Sequence, residues 1–197
     1  MTYRDETPDD DRALVEACLQ GDQSAFENLV RLKTPKVYGH CLRMVSNAED
    51  ARDISQLVFI RLWEKLEKYD PAFTFDTWLY RLVSNVTIDF VRSRQTRENA
   101  VQSSIRLVRS STDAEQPVFM AGKEVERIFD DVSAALSPKQ KEVFVMKEMD
   151  DLTSPEIAEI LECSESTVRN HLFNARKILR RELERRYPEY ARIWSER

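Results

Sequence analysis

Apolar residues recur along most of this chain about every 3.6 positions, the spacing that lines one face of an α-helix. Leu14, Val15, Cys18 and Leu19 predict a short first helix from Asp11 to Gln20, closed by Gly21. From Ser24 the set Phe26, Leu29, Val30, Val37, Tyr38, Cys41, Leu42 and Val45 keeps the period, with Pro35 predicting a kink, bulge or break inside it. The next helix starts near Ala48. Its core stripe is Ala51, Ile54, Val58, Leu62, Leu66 and Tyr69, and a second apolar set, Phe59, Ile60 and Trp63, lies away from that stripe beside Asp53 and Gln56. A helix with one core stripe has no need of these large residues, so the second set predicts either several packed neighbours or a groove for a partner.

Asp70 and Pro71 break the pattern and leave Phe73 on a loop. Thr74 is placed to cap the following helix, with Asp76 near its positive end. Phe75, Leu79, Leu82, Val83, Val86 and Phe90 form its core stripe, and Trp78, Arg81, Asn85, Asp89 and Arg92 run along the other side. The period fades after Arg97. The Ser-rich stretch Glu98 to Gly122, with Ile105, Leu107 and Val108 its few clustered apolar residues, reads as a flexible linker.

A second block begins near Lys123, with Val125, Ile128, Phe129, Val132 and Leu136 as its stripe. Ser137 and Pro138 supply an N-cap and first-turn proline for a helix through Val143, Phe144 and Met146, and Ser154 and Pro155 repeat the device. Ile157, Ala158, Ile160 and Leu161 follow, "ECSES" turns the chain, and Val168, Leu172, Ala175, Leu179 and Leu183 line a last long helix. Two helices about a short turn, the second basic, make a helix-turn-helix. The fold class is therefore all-α, in two small helical domains.

Composition agrees, with only three glycines in 197 residues. No apolar run reaches the ~20 residues that span a bilayer, and the acidic start "MTYRDETPDDDR" is unlike a secretory signal, so a cytoplasmic protein without membrane insertion is expected. Cys18, Cys41 and Cys163 are widely spaced and read as core or turn residues. Adjacent His40 and Cys41 point about 100° apart on a helix, so no metal site and no cofactor is expected. Neither histidine sits with a nucleophile and no glycine-rich phosphate loop occurs, which leaves no catalytic residue to name.

The net charge of −5 disguises a segregated distribution. Residues 1–11 hold five carboxylates against Arg4, whereas Arg169 to Arg186 holds seven Lys or Arg plus His171 against Glu182 and Glu184. Opposite the core stripe of the last helix lie Ser166, Arg169, Asn170, Phe173, Asn174 and Lys177. Arg pairs with guanine, Asn with adenine, and Phe meets a thymine methyl, while Thr167, His171, Arg176 and Arg180 flank them at phosphate height. The plain alternative is the solvated face of an ordinary helical hairpin.

These blocks resemble the sigma-70 family of RNA polymerase sigma factors, the small extracytoplasmic-function (ECF) type. "AFENLV", "EDARDISQLVFIRLWEKL" and "FDTWLYRLVSNVTIDFVR" resemble its region 2, and "ALSPKQKEVFVMKEMDDLTSPEIAEIL" with "STVRNHLFNARKIL" its region 4. The resemblance implies an acidic tail over 1–11, a region 2 domain over 12–97, a linker over 98–122, a region 4 domain over 123–187 and a tail over 188–197. It further implies that Asp53, Gln56, Phe59, Ile60 and Trp63 dock on the largest subunits of bacterial core RNA polymerase. Phe73 and Asn85 would hold an unstacked base of the −10 element, with Arg81, Arg92 and Arg94 on the DNA backbone, and the last helix would read the −35 element. The free protein is expected to be a monomer, open to control by an anti-sigma factor.

Two positions depart from the family pattern: Glu162 replaces a turn glycine, predicting a strained turn, and Asn174 replaces a frequent Arg, leaving the base preference open. Region 4 alone is equally similar to the helix-turn-helix of quorum-sensing-type regulators, so an independent DNA-binding regulator is one alternative. A helical interaction module that never touches DNA is another. In the tail, Tyr190, Ile193 and Trp194 share one face of a short helix that would pack on the second domain or serve a regulator.

Overall fold

The computed structural model describes residues 8–104 and 121–190, with side chains from 11 to 97 and from 124 to 190. Helices α1 (Pro8–Leu19), α2 (Gln23–Val45), α3 (Ala48–Lys65) and α4 (Phe75–Ser104) build the first domain, with a 3₁₀ turn at Leu66–Lys68. Helices α5 (Ala121–Ser133), α6 (Pro138–Glu148), α7 (Ser154–Ile160) and α8 (Glu165–Arg186) build the second. No strand occurs among the described residues.

The first core closes around Leu29, Ile54, Leu62 and Leu79, all fully buried. Helix starts are fixed locally: Asp22 accepts from the Ser24 and Ala25 amides, and Asn47 from those of Glu49 and Asp50, each cap contributing about 1 kcal/mol. Pro35 does not break the chain. Helix α2 runs through it, because the buried row Leu29, Lys33, Val37 and Cys41 holds the successive turns together, which outweighs the one amide donor that proline lacks. Asp11 was expected both to open the first helix and to end an acidic tail. It belongs to α1, which begins at Pro8, and its buried carboxylate accepts from Lys33 Nζ at 2.7 Å.

Helix α4 continues to Ser104, beyond the fading of its apolar period at Arg97. The linker residues Ile105, Leu107 and Val108 lie outside the described residues, as do 1–7 and the tail residues Ile193 and Trp194. Trp78, expected on the outer side of α4, is half-buried against Tyr69 and Phe75. Thr74 caps α4 as expected, accepting from the Thr77 amide.

In the second domain Val143, Met146, Ile157, Val168 and Ala175 are fully enclosed. Ser137 and Gln140 form a reciprocal capping box with Pro138 in the first turn. The cap of α7 is Thr153, not Ser154, because Glu156 stands three residues on and reaches back to the Thr153 amide. Val125 is 65% exposed and lies off the core stripe that Ile128, Val132 and Leu136 form. Tyr190 packs on this domain and donates to Glu124 Oε1 at 2.8 Å.

The two domains lie against each other, α6 on α2 and α4, and α7 on α4. Tyr80 of α4 inserts into the second core, and Met44, Ile88 and Val145 make a small apolar cluster across the seam. Helix α4 is thus buried on two sides, which one amphipathic stripe could not announce.

Candidate nucleic-acid and partner interfaces

Helix α3 carries its core stripe inward, and on the opposite side Leu57, Ile60 and Trp63 are 42%, 55% and 54% exposed. Asp53 and Gln56 are exposed on the same helix. Phe59 is the exception within the expected set: it is half-buried and packs against the first core. Leu57 was not singled out by sequence, although its spacing of three from Ile60 put it on the same face. Trp63 is anchored rather than loose, its ring meeting that of Phe26 edge-on with centroids 4.7 Å apart.

On another edge of the first domain, the Asp70 carboxylate accepts from the Ala72 amide, and Tyr69 Oη donates to the Phe73 carbonyl at 2.8 Å, so the loop holding Phe73 is ordered by its own hydrogen bonds. Asn85, Asp89 and Arg92 stand exposed along α4. Arg94 is paired with Asp50 at 3.0 Å. Arg81 differs from these: its guanidinium lies over the Phe73 ring at 4.4 Å and donates from Nε and Nη2 to the Glu159 carbonyl at 3.2 and 3.0 Å. Sequence placed Arg81 on an open face; the second domain covers it.

In the second domain α7 and α8 meet across the turn at Leu161 to Ser164. Ser164 caps α8, accepting from the Thr167 amide, and its hydroxyl also lies 2.8 Å from Ser166 Oγ and 2.9 Å from Thr167 Oγ1. Glu162 has φ 52°, the left-handed conformation in which a glycine would be unstrained. Arg169, Asn170, Phe173, Asn174 and Lys177 are exposed, Phe173 to 68%, while His171 is half-buried. An apolar ring this open on a basic helix suits a groove lined with base edges and methyls.

The positive field of α8 is narrower than its sequence suggests. Arg181, Arg185 and Arg186 all bind the Glu182 carboxylate, and Arg186 also reaches Asp131 at 2.5 Å. The hydrogen bond from Arg185 holds that carboxyl below its ordinary value despite some desolvation. Arg176 pairs with Glu148 and Arg169 with Glu165. Lys177 and Arg180 are exposed on the same helix, and Arg169 keeps most of its side chain open despite its pair.

Among the described residues no group of three or more His, Cys, Asp or Glu could hold a metal ion, and no helix is long and apolar enough to cross a membrane. His40 instead donates from Nδ1 to Asp150 Oδ2 at 2.7 Å. Cys18 and Cys41 are buried, and Cys163 is half-buried in the turn before α8.

Known proteins match the same two blocks. The family model for sigma-70 region 2 covers residues 29–97, and that for sigma-70 region 4 covers residues 126–179. The chain is 32% identical to the ECF RNA polymerase sigma factor SigW of Bacillus subtilis over 171 residues, 83% of this chain and 91% of that protein. It is 31% identical to the ECF RNA polymerase sigma-E factor of Haemophilus influenzae over 182 residues, 88% of this chain and 95% of the other. Two solved structures share the fold. CnrH in complex with the cytosolic domain of CnrY superposes with a TM-score of 0.67 at 22% identity, over 90% of this chain and 99% of that one. The sigma factor RpoE of Bartonella quintana with the anti-sigma factor NepR superposes with a TM-score of 0.60 at 18% identity, over 81% of this chain and 96% of that one.

Proposed function

The chain belongs to the sigma-70 family as a sigma factor of the ECF type, and on that premise we propose how its surfaces divide the work of starting transcription. It acts as a non-catalytic initiation subunit that directs RNA polymerase to promoters. The observation that carries the division is α3: one side is fully buried, while Leu57, Ile60 and Trp63 stay open on the other. An apolar face of that kind on a water-exposed helix calls for a protein partner. Core polymerase docks there, with Asp53 and Gln56 at the rim and Phe59 bracing the helix from behind.

Phe73, Asn85 and Arg92, with Arg81 and Arg94 once released from their pairs, hold the opened −10 strand. Unstacking a base takes a few kcal/mol, so a surface that binds the base extruded favours melting without any bond being made or broken. Helix α8 reads the −35 element with Arg169, Asn170, Phe173, Asn174 and Lys177, while Ser166, Thr167, His171 and Arg176 position it on the backbone. The protein works in the cytoplasm as a monomer when free, and an anti-sigma factor, as bound by the Bartonella relative, is a further partner. The match over residues 29–97 argues against an independent regulator, which has no use for a polymerase-docking helix.

Reconstitution tests this directly. The protein mixed with core polymerase should start transcripts at defined promoters, and Asn85→Ala should keep core binding yet lower the permanganate reactivity of unpaired thymines. Equal melting by variant and parent would remove Asn85 from the −10 surface.

A further inference from the structure

Two cations of α8 that lie beside its exposed polar face are already engaged within the chain. Arg169 Nη1 donates to Glu165 Oε2 at 3.3 Å, one helical turn back, and Arg176 Nη2 donates to Glu148 Oε1 at 2.5 Å, at the end of α6. All four side chains stay open to water, from 36% for Glu148 to 64% for Arg169. Around them Asn170, Phe173 and Asn174 are exposed and carry no charge. Pairs this exposed contribute little to stability, so what they change is the availability of the cations to another ligand.

Glu148 is the sharper case. It is the last residue of α6, where the helix dipole disfavours a negative charge, and its partner lies 28 residues away. No local helical pattern accounts for an acid at that position, whereas Arg176 across the gap to α8 does.

We propose that Glu165 and Glu148 set the specificity of α8 by neutralising Arg169 and Arg176, so that phosphate alone holds the helix weakly and a stable complex requires base contacts. The inference rests on the reading of α8 as the −35 surface. A guanidinium has five N–H donors, and Glu165 takes one from Arg169. The others can still reach the O6 and N7 acceptors of guanine, which carry no formal charge and meet little repulsion from the carboxylate. A phosphate is different. It must either face the carboxylate or displace it, and displacement exchanges one ion pair for another with little gain. The counterion release that drives sequence-independent binding is reduced accordingly. Arg176 leaves Glu148 for the DNA backbone only once Asn170, Phe173 and Asn174 have seated the helix on its bases.

The experiment uses the full chain with Glu165→Gln and Glu148→Gln, which remove the charge and keep the shape. Titrated without polymerase into a random-sequence duplex, each variant should bind several-fold more tightly than the parent at low salt. Its log–log salt slope should be steeper by about 0.9, the equivalent of one additional phosphate contact. Bound to core polymerase and offered promoters that differ only at −35, each should discriminate several-fold less than the parent. A merely structural role would not give this pattern: Glu165 favours the positive end of α8 and Glu148 opposes the negative end of α6. Loss of charge therefore acts on the two helices in opposite senses, whereas both DNA effects share one sign. A parental salt slope and parental discrimination in either variant would overturn the inference for that carboxylate. Arg169→Ala, measured alongside, separates this failure from failure of the −35 reading. If it relaxes discrimination while the Gln variants match the parent, α8 still reads −35 and only the role of the carboxylates is lost; if it too matches the parent, both readings fall.

Discussion

The ring of Trp63 stands edge-on to that of Phe26, centroids 4.7 Å apart, while half of its surface remains open to water. The contact fixes the indole in one orientation without hiding it, the condition under which an aromatic residue contributes most to binding a partner. Ile60→Ala and Trp63→Ala are therefore expected to weaken association with core polymerase by ~2–4 kcal/mol each. Losing the edge-to-face pair should lower domain stability by only ~0.5–1.5 kcal/mol. Titration against core polymerase and thermal melts of the free protein check both halves. Phe59→Ala should reverse the ranking, with the larger loss in the melt, because that side chain packs on the core.

Lys33 is a cation with almost no exposure, held at 2.7 Å from Asp11 and 3.2 Å from Asp76, which Lys36 also binds at 2.6 Å. Replacing it by Met removes the cation that Asp11 and Asp76 share while Lys36 stays on Asp76, and a loss of ~1–3 kcal/mol is expected at neutral pH. Burial alone would lower the Lys33 pKa, but Asp11 and Asp76 hold it above 10.5. Burial alone would raise that of Asp76, but Lys36 and Lys33 hold it below 3.8. The contribution of Asp76 is thus complete above pH 3.8 and falls away below it, and that of Lys33 is complete below 10.5 and falls away above it. Denaturant midpoints of parent and Lys33→Met across pH should be furthest apart between those limits and converge outside them.

Arg169 and Asn174 are exposed on α8 and take no part in its core. Arg169→Ala and Asn174→Ala should leave polymerase affinity and melting temperature unchanged and relax discrimination among −35 sequences by ~1–3 kcal/mol each. Competition between promoter variants by the reconstituted holoenzyme measures this. Uniform weakening on every sequence would instead mark the residue as a phosphate contact.

Glu162 sits at φ 52° in the turn of the helix-turn-helix. Its side chain is 77% exposed and only 3.9 Å from Arg81 at best, so that charge pair adds little. Glycine at this position relieves ~1–2 kcal/mol of backbone strain and gives back ~0.5–1 kcal/mol in unfolded-chain entropy. Glu162→Gly is therefore expected to raise stability slightly, and Glu162→Val to lower it. A melt in which Gly and Val behave alike would show that the turn relaxes around either residue.

Local patterns were enough for the helices, their caps and their inward stripes, because a 3.6-residue period and a Ser, Thr or Asn before a helix act over a few neighbouring residues. The exposed basic face of α8 and the open side of α3 were legible for the same reason: a large or basic residue off the core stripe has no local cause. Pairing across distance was not legible. Asp11 could be read as the start of a helix and the end of an acidic stretch, but nothing near it in sequence announced its buried pairing with Lys33. Likewise Asp150 and Glu142 looked like two more acids in an acidic chain, and Arg81 like one more outward cation. Only the packing of α6 and α7 on α2 and α4 brings His40 to Asp150 and Ser84 to Glu142, partners 110 and 58 residues apart. The energy of such contacts comes from desolvation, which depends on what covers a residue in space, and no spacing along the chain encodes that.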